Sequence, residues 1–300
     1  VNALFKTIFD GIQDNLGRPA SLCRVLETRP ELRAAIEEPP RALAARSVVH
    51  WHEWGAAPAL NWPPRTRGRI TGWRYAGGRY SSFHLMREEF AQFGYCRRDD
   101  DWECDIQDVV GLSASKSDLR AFTDLDTMVE ENAPGLIAPL TEATLHDNLA
   151  WHEVRILKPR TSDYFARYLW DGRLFLINDG GSHHFAAARF IAARLGTPVP
   201  LRGTLRTYGI DEVALASLQR DFDMFVVGDA PCAALAFHDA MARLRATYLW
   251  QHLPAPYSES CRAVLLPSDE PRSAAAAALL REAGFFDLGV YLRGLSVRVP

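Results

Sequence analysis

LFLINDGGSHHFAAARFIAARL, residues 174–195, joins an apolar run to an alanine-rich run through two glycines. Leu174 to Ile177 form a short apolar run bounded by turn residues, the pattern of a strand buried on both faces. Asn178 and Asp179 end it, Gly180 and Gly181 supply a turn, and Ser182 stands at the expected N-cap of a helix. Alanines and large apolar residues then continue at helical spacing to Leu195. A helix start leaves backbone N–H groups without partners and carries the positive end of the helix dipole, so it favours a phosphate or carboxylate. Two glycines let the backbone approach such a guest without a Cβ in the way. His183 and His184 fall in the first turn, where the dipole disfavours protonation, so they read as hydrogen-bonding or acid/base groups rather than fixed cations. The plainer alternative is a strand-to-helix turn with a good cap and two histidines satisfying nearby carbonyls.

Working outward, WHEVRIL (151–157) reads as a strand, SDYFARYLW (162–170) as a short helix and VPLRGTLRTYGI (199–210) as a further strand or strand pair. The alternation continues with DEVALASLQRDF as helix, MFVVG as strand, CAALAFHDAMARLRATYLWQHL (232–253) as one long helix, CRAVLLP as strand and RSAAAAALLREAG as helix. On the other side, Leu22, Val25 and Leu26, then Leu32, Ala35 and Ile36, predict two short helices within the first 45 residues. GRITGWRYAGGRYSSFHLM (68–86) predicts a hairpin about Gly77-Gly78. The run Arg98-Asp99-Asp100-Asp101 and GLSASKSD (111–118) read as turns, Asp118 to Asn132 as helical, and residues 133–150 as a boundary. The expected fold is therefore mixed α/β (α+β). It has a helical, aromatic-rich β region over 1–150, a central unit over 151–210, and an α/β extension over 211–300 packed on the same core.

LINDGGSHHFAAARFIAARL, preceded by VRILKP, resembles the ParB/sulfiredoxin-like superfamily over residues 153–210. That superfamily carries a strand, a D-G-x-H-R or G-x-x-R type turn and an alanine-rich helix, and its turn holds the phosphates of a nucleotide. The resemblance implies a ligand site at Asp179, Gly180, Gly181 and Ser182, with His183 and His184 as acid/base groups. It also implies Glu153 as a general base, the role of an upstream acid in members that phosphorylate free serine, although the residues alone read first as a surface carboxylate there. His184 stands where those members have arginine, so the bidentate guanidinium grip on phosphate is missing. Arg189 lies too far along the helix to replace it, which leaves Lys158, Arg160 or Arg202 as cations that fold back. Sulfinic-acid reduction would need a cysteine beside the histidine, where Ser182 stands instead.

A net charge of −3, from 34 basic and 37 acidic side chains, leaves no basic tract as a nucleic-acid or anionic-membrane footprint. No run of apolar residues is long enough to span a bilayer and the opening segment lacks a cationic head, so the expectation is a cytoplasmic protein. Five dispersed cysteines predict free thiols rather than a disulfide framework. There is no Walker-type G-x-x-x-x-G-K, H-E-x-x-H or G-x-S-x-G. His50 and His52 would share one face of an extended strand, but Cys96 and Cys104 lack zinc-knuckle spacing, so no metal site is expected. Trp51, Trp54, Trp62, Trp73, Tyr75 and Tyr80 with Arg65, Arg67, Arg69 and Arg74 form a mixed basic and aromatic patch, read first as packing and second as a partner surface.

The functional expectation is a protein that binds a nucleotide or phosphate ligand, a nucleoside triphosphate with magnesium being the expected cofactor. A phosphotransfer or nucleotide-hydrolysing enzyme is one form of it. The alternatives are a scaffold that has lost its ligand and a DNA-binding or nuclease protein of the same fold.

Overall fold

The computed structural model describes residues 2–56 and 66–297, with side chains from Ile8 onward. Helices α1 (Asn2–Asn15) and α2 (Ala20–Thr28) are followed by strands β1 (Arg69–Ala76) and β2 (Arg79–Met86) and the short helix α3 (Glu88–Ala91). Strands β3 (Gly94–Asp105) and β4 (Val109–Leu112) precede helices α4 (Leu125–Asn132) and α5 (Glu142–Leu149). Then come β5 (Tyr164–Tyr168), β6 (Leu174–Ile177), α6 (Ser182–Leu195) and β7 (Pro200–Ile210). The remainder runs α7 (Glu212–Asp221), β8 (Phe222–Gly228), α8 (Pro231–Leu244), β9 (Tyr248–His252), β10 (Cys261–Pro267), α9 (Pro271–Glu282) and α10 (Leu288–Ser296). The fold is mixed α/β, as the sequence predicts.

These elements form two compact units. The first takes the described residues of Val1–Glu37, His50–Gly94 and Ile210–Val297, and the second those of Glu38–Val49 and Tyr95–Gly209. This division differs from the expected segments, because residues 95–150 share one core with the segment that follows them: Ile106, Leu125 and Met128 pack in the same cluster as Phe165, Phe185 and Ile191.

In the first unit the sheet runs β2-β1-β9-β10-β8. Its β1–β2 hairpin turns at Gly77-Gly78, both with positive φ, as a tight right-twisting turn requires. Of the aromatic patch, Trp51 and Trp54 are buried, Trp73 and Tyr80 half-buried, and Tyr75 exposed. Trp73 stacks on Tyr248 with ring centroids 5.2 Å apart, and the Trp54 indole donates to the His252 carbonyl at 2.8 Å. Packing is thus the use the structure shows for these rings; Trp62 and Arg65 lie outside the described residues. All five cysteines are free. His50 and His52 do not sit on a strand; they flank and join a 3-10 turn, Trp51–Glu53.

In the second unit the sheet runs β3-β7-β5-β6-β4, with β4 parallel to β6 and β5 parallel to β7. Helix α6 is the centre of its core: Phe185 to Ala188 and Phe190 to Ala192 are all buried, and α4 and α5 pack against it. Alanines on that helix let its neighbours approach closely, so most of its circumference is buried. Three local expectations are corrected here. Residues 155–157 form a 3-10 turn rather than part of a strand, and Tyr164–Tyr168 is a strand rather than a helix. The acidic Arg98–Asp101 run lies inside the long strand β3, at the sheet edge, rather than in a turn. In the first unit, the long helix expected over 232–253 ends at Leu244 and gives way to β9.

Candidate functional site

Because β4 and β6 are parallel neighbours, their carboxyl ends lie side by side, and the segment Ser113–Asp118 meets the turn Asn178–Gly181. Asn178 joins the two. Its buried side chain accepts from the amides of Ser113 and Ala114, both at 3.2 Å, and donates to the carbonyls of Ala114 and Gly180 at 3.0 and 2.8 Å. Ser113 Oγ donates in return to the Asn178 carbonyl at 2.7 Å.

Gly180 and Gly181 have φ of 139° and 69°, conformations that side-chain-bearing residues rarely adopt. Gly181, not Ser182, is the helix cap, and no side chain of its own turn caps the helix. A Cβ on Gly181 would lie 2.5 Å from the Glu153 carbonyl oxygen, so the glycine is required by chain crossing as well as by dihedral angle. The Gly181 amide donates at 3.3 Å to Glu153 Oε2, which the Trp151 indole N–H also reaches at 3.5 Å. The indole and then the Gly181 amide hold the Glu153 carboxyl below its ordinary pKa. The helix start therefore already faces one carboxylate, supplied by the chain itself. Among the described residues no group accepts from the next three amides, those of Ser182, His183 and His184.

The two histidines diverge. His183 Nε2 lies 2.8 Å from Ser117 Oγ. His184 Nδ1 lies 2.9 Å from Asn148 Oδ1, and its ring stacks on Trp151 with centroids 4.3 Å apart. Both have a lowered pKa: burial is the main cause in each, with Lys116 adding to the effect on His183. Burial, rather than the helix start, is what favours the neutral form of both rings. Ser182 is the first helical residue, and its hydroxyl donates to Ser115 Oγ at 2.9 Å. Asp179 points away into solvent, its side chain 87% exposed, and pairs with Arg155 at 3.4 Å.

Of the residues predicted from sequence, the structure brings together Glu153, Gly181, Ser182, His183 and His184, sets Gly180 beside Glu153, and turns the Asp179 side chain outward. Lys158 and Arg202, two of the cations expected to fold back, bond elsewhere. Lys158 donates to the His152 carbonyl, Arg202 pairs with Asp101 and Glu103, and Arg160 has a left-handed backbone with φ of 60°. Arg155 is the cation that does reach the turn, donating to the Asp179 carbonyl and lying 3.8 Å from buried Asp163. Arg155, Asn178, Asn148 and the serines of residues 113–117 are the site members that the sequence reading missed. Asn178 at a strand end and three serines in five residues were the available signals.

Residues 99–299, two-thirds of the chain, match a family of unknown function, DUF6685. The chain belongs to that family. The DUF6685 match takes in both sides of the site, from Ser113 through His184. No curated protein and no solved structure matches the chain. Among the described residues no group of three or more histidine, cysteine or acidic side chains is placed to hold a metal ion, and no helix is long and apolar enough to cross a membrane. In the first unit a cleft of about 670 Å³ is lined by Glu89, Gln92, Ser217 and Arg220. Two of its charged side chains are engaged by residues outside the lining: Arg87 bonds Glu89 and pulls its carboxyl down to about 2, and Asp221 pairs with Arg220.

Proposed function

We propose that this protein binds a phosphate-bearing ligand, a nucleotide in the first instance, where the ends of β4 and β6 meet the start of α6. The observation that carries the reading is the row of unpartnered amides on Ser182, His183 and His184, next to a Gly181 amide already engaged by a carboxylate. Glu153 acts there as a built-in anion that occupies part of the seat. A phosphate oxygen supplies the same acceptor chemistry with more charge, and Lys116 adds a cation near His183. Carboxyl ends of adjacent parallel strands are also where α/β sheets commonly bind ligands.

The resemblance to the ParB/sulfiredoxin-like superfamily supports a nucleotide over other anions. A strand, a two-glycine turn, an alanine-rich helix and a following strand occur here in that order, as β6, α6 and β7. Within this reading Glu153 has the position of a general base, and a nucleoside triphosphate with magnesium is the ligand to try first. One observation favours the scaffold alternative: His184, in place of arginine, is fastened to Asn148 and Trp151 and offers no free cation to phosphate.

Calorimetric titration with ATP, CTP and GTP, each with and without magnesium, separates the two. Saturable heat with at least one nucleotide is the expected result. No heat from any of them, at concentrations up to millimolar, leaves the scaffold reading in its place.

A further inference from the structure

We propose that Ser117 is a nucleophile activated by His183, and that it takes up a phosphoryl group from a phosphate ester or anhydride. The choice of a phosphoryl electrophile rests on the phosphate-binding reading above; the nucleophile itself does not.

The geometry is that of a hydroxyl and its base. Ser117 Oγ is 2.8 Å from His183 Nε2, within the reach that proton transfer requires. The other hydroxyls at this end of the sheet have different duties. Ser113 donates to the Asn178 carbonyl, and Ser182 donates to Ser115. Ser117 alone among these four has an imidazole as its side-chain partner. The hydroxyl is also held in place. The Ser117 amide donates to Ser115 Oγ at 3.1 Å, Ser115 is tied to the helix start through Ser182, and Asn178 anchors the base of the loop. Half-buried Ser117 remains open to a reactant, and burial keeps His183 in the neutral form that accepts a proton.

In the step itself, the Ser117 Oγ–P bond forms as the bond from phosphorus to the leaving oxygen breaks. The hydroxyl proton passes to His183 Nε2 and from there to the leaving oxygen. The product is phosphoserine, with no change in oxidation state and no further reactant.

The test uses the full chain and a neutral aryl phosphonyl fluoride, which needs no anion site: Oγ bonds to phosphorus and fluoride leaves. The expected result is a single adduct by intact mass, mapped by peptide sequencing to Ser117. Ser117→Ala should take no label, and His183→Gln should label at least a hundredfold more slowly, within the range of ~10²–10⁴ for a general base. Circular dichroism establishes that both variants are folded. Wild-type protein that stays unlabelled, or labels at another residue, overturns the proposal without reference to any variant. A His183→Gln rate equal to wild type overturns the role of the base. A second arm incubates the chain with γ-labelled ATP and magnesium. Acid-stable phosphoserine at Ser117 supports phosphoryl uptake. A phosphonyl adduct with calorimetrically bound ATP but no phosphoserine overturns the phosphoryl class, and a phosphonyl adduct with no nucleotide binding overturns the phosphate reading while the nucleophile stands.

Discussion

Two regions of this molecule contain paired histidines beside a glutamate and tryptophans, and they use them in opposite ways. His183 and His184 are consecutive at the start of a helix, where each residue turns by about 100°. Their rings therefore reach different elements, Ser117 on one side and Asn148 with Trp151 on the other. His50 and His52 flank the first residue of a 3-10 turn, and their rings lie 5.4 Å apart with one Glu53 oxygen 3.4 and 3.7 Å from them. The first arrangement makes two separate devices, each with a neutral ring. The second makes one electrostatic cluster. Burial, opposed by Glu53 and aided by His50, brings His52 down to about 4, while the His50 hydrogen bond holds the Glu53 carboxyl low. Sequence spacing alone does not distinguish these outcomes, because the periodicity of the local backbone decides whether neighbouring rings converge or part.

The comparison breaks most visibly through stability. Asn178→Ala strands the amide of Ala114 and the carbonyls of Ala114 and Gly180 in a half-buried place, while the Ser113 amide keeps its bond to the Leu176 carbonyl, so a loss of ~2–4 kcal/mol is expected from urea unfolding. In the other region Glu53→Gln alters a carboxylate whose side chain is 61% exposed, and the change should stay under about 1 kcal/mol. Equal losses in the two variants would show that the turn is not pinned as described.

A pH series sharpens the same contrast. His52, His183 and His184 all have a lowered folded-state pKa, so the stability they contribute is fully present above the unfolded histidine value of ~6.5 and is lost as pH falls through the folded values. For His52 that window extends down to about 4. Melting temperature should therefore fall on acidification from pH 7 to 4, and His52→Gln should flatten the curve more than His183→Gln. A steeper curve in either variant contradicts the assigned direction. Glu153 works in the same sense at lower pH, since its depressed carboxyl pKa gives stability that disappears on acidification.

The smallest effect concerns ligand affinity. Glu153→Gln removes a like charge from the helix start, so a nucleotide should bind several-fold tighter. Weaker binding in this variant would mean that Glu153 assists the ligand rather than competing with it. The structure also changes what a glycine variant reports. From the sequence, Gly181→Val is a block at the ligand face that leaves the fold largely intact; because a Cβ there meets the Glu153 backbone, loss of stability should accompany loss of binding.

The β6–α6 segment and the β1–β2 hairpin were legible because their signals are local: an apolar run, paired glycines, alanines at helical spacing. What failed was set by distant partners. Tyr164–Tyr168 carries aromatics at positions that also suit a helix, and only its place between β6 and β7 makes it a strand. The acidic part of β3 looks like a turn until Arg202 and Thr204 of β7 are seen to meet Asp100, Asp101 and Glu103. Helix α8 ends at Arg245 in a left-handed conformation with φ of 57°, without the glycine that usually marks such a stop. At the site, the helix start and its histidines were readable, whereas Asn178 and Ser117 gain meaning only once the parallel pairing of β4 and β6 brings residues some 65 positions apart into contact, and Arg155 only once its 3-10 turn is set against Asp179.

The three backbone amides of Ser182, His183 and His184 can be followed directly in backbone ¹H–¹⁵N spectra during a titration with ATP and magnesium. Saturable shifts confined to Gly181 through His184 and the neighbouring Ser113–Ser117 loop, with the same apparent affinity at each, are expected. Amide signals of Ser182, His183 and His184 that remain fixed while a nucleotide binds elsewhere, or that never move at all, would contradict binding at this helix start.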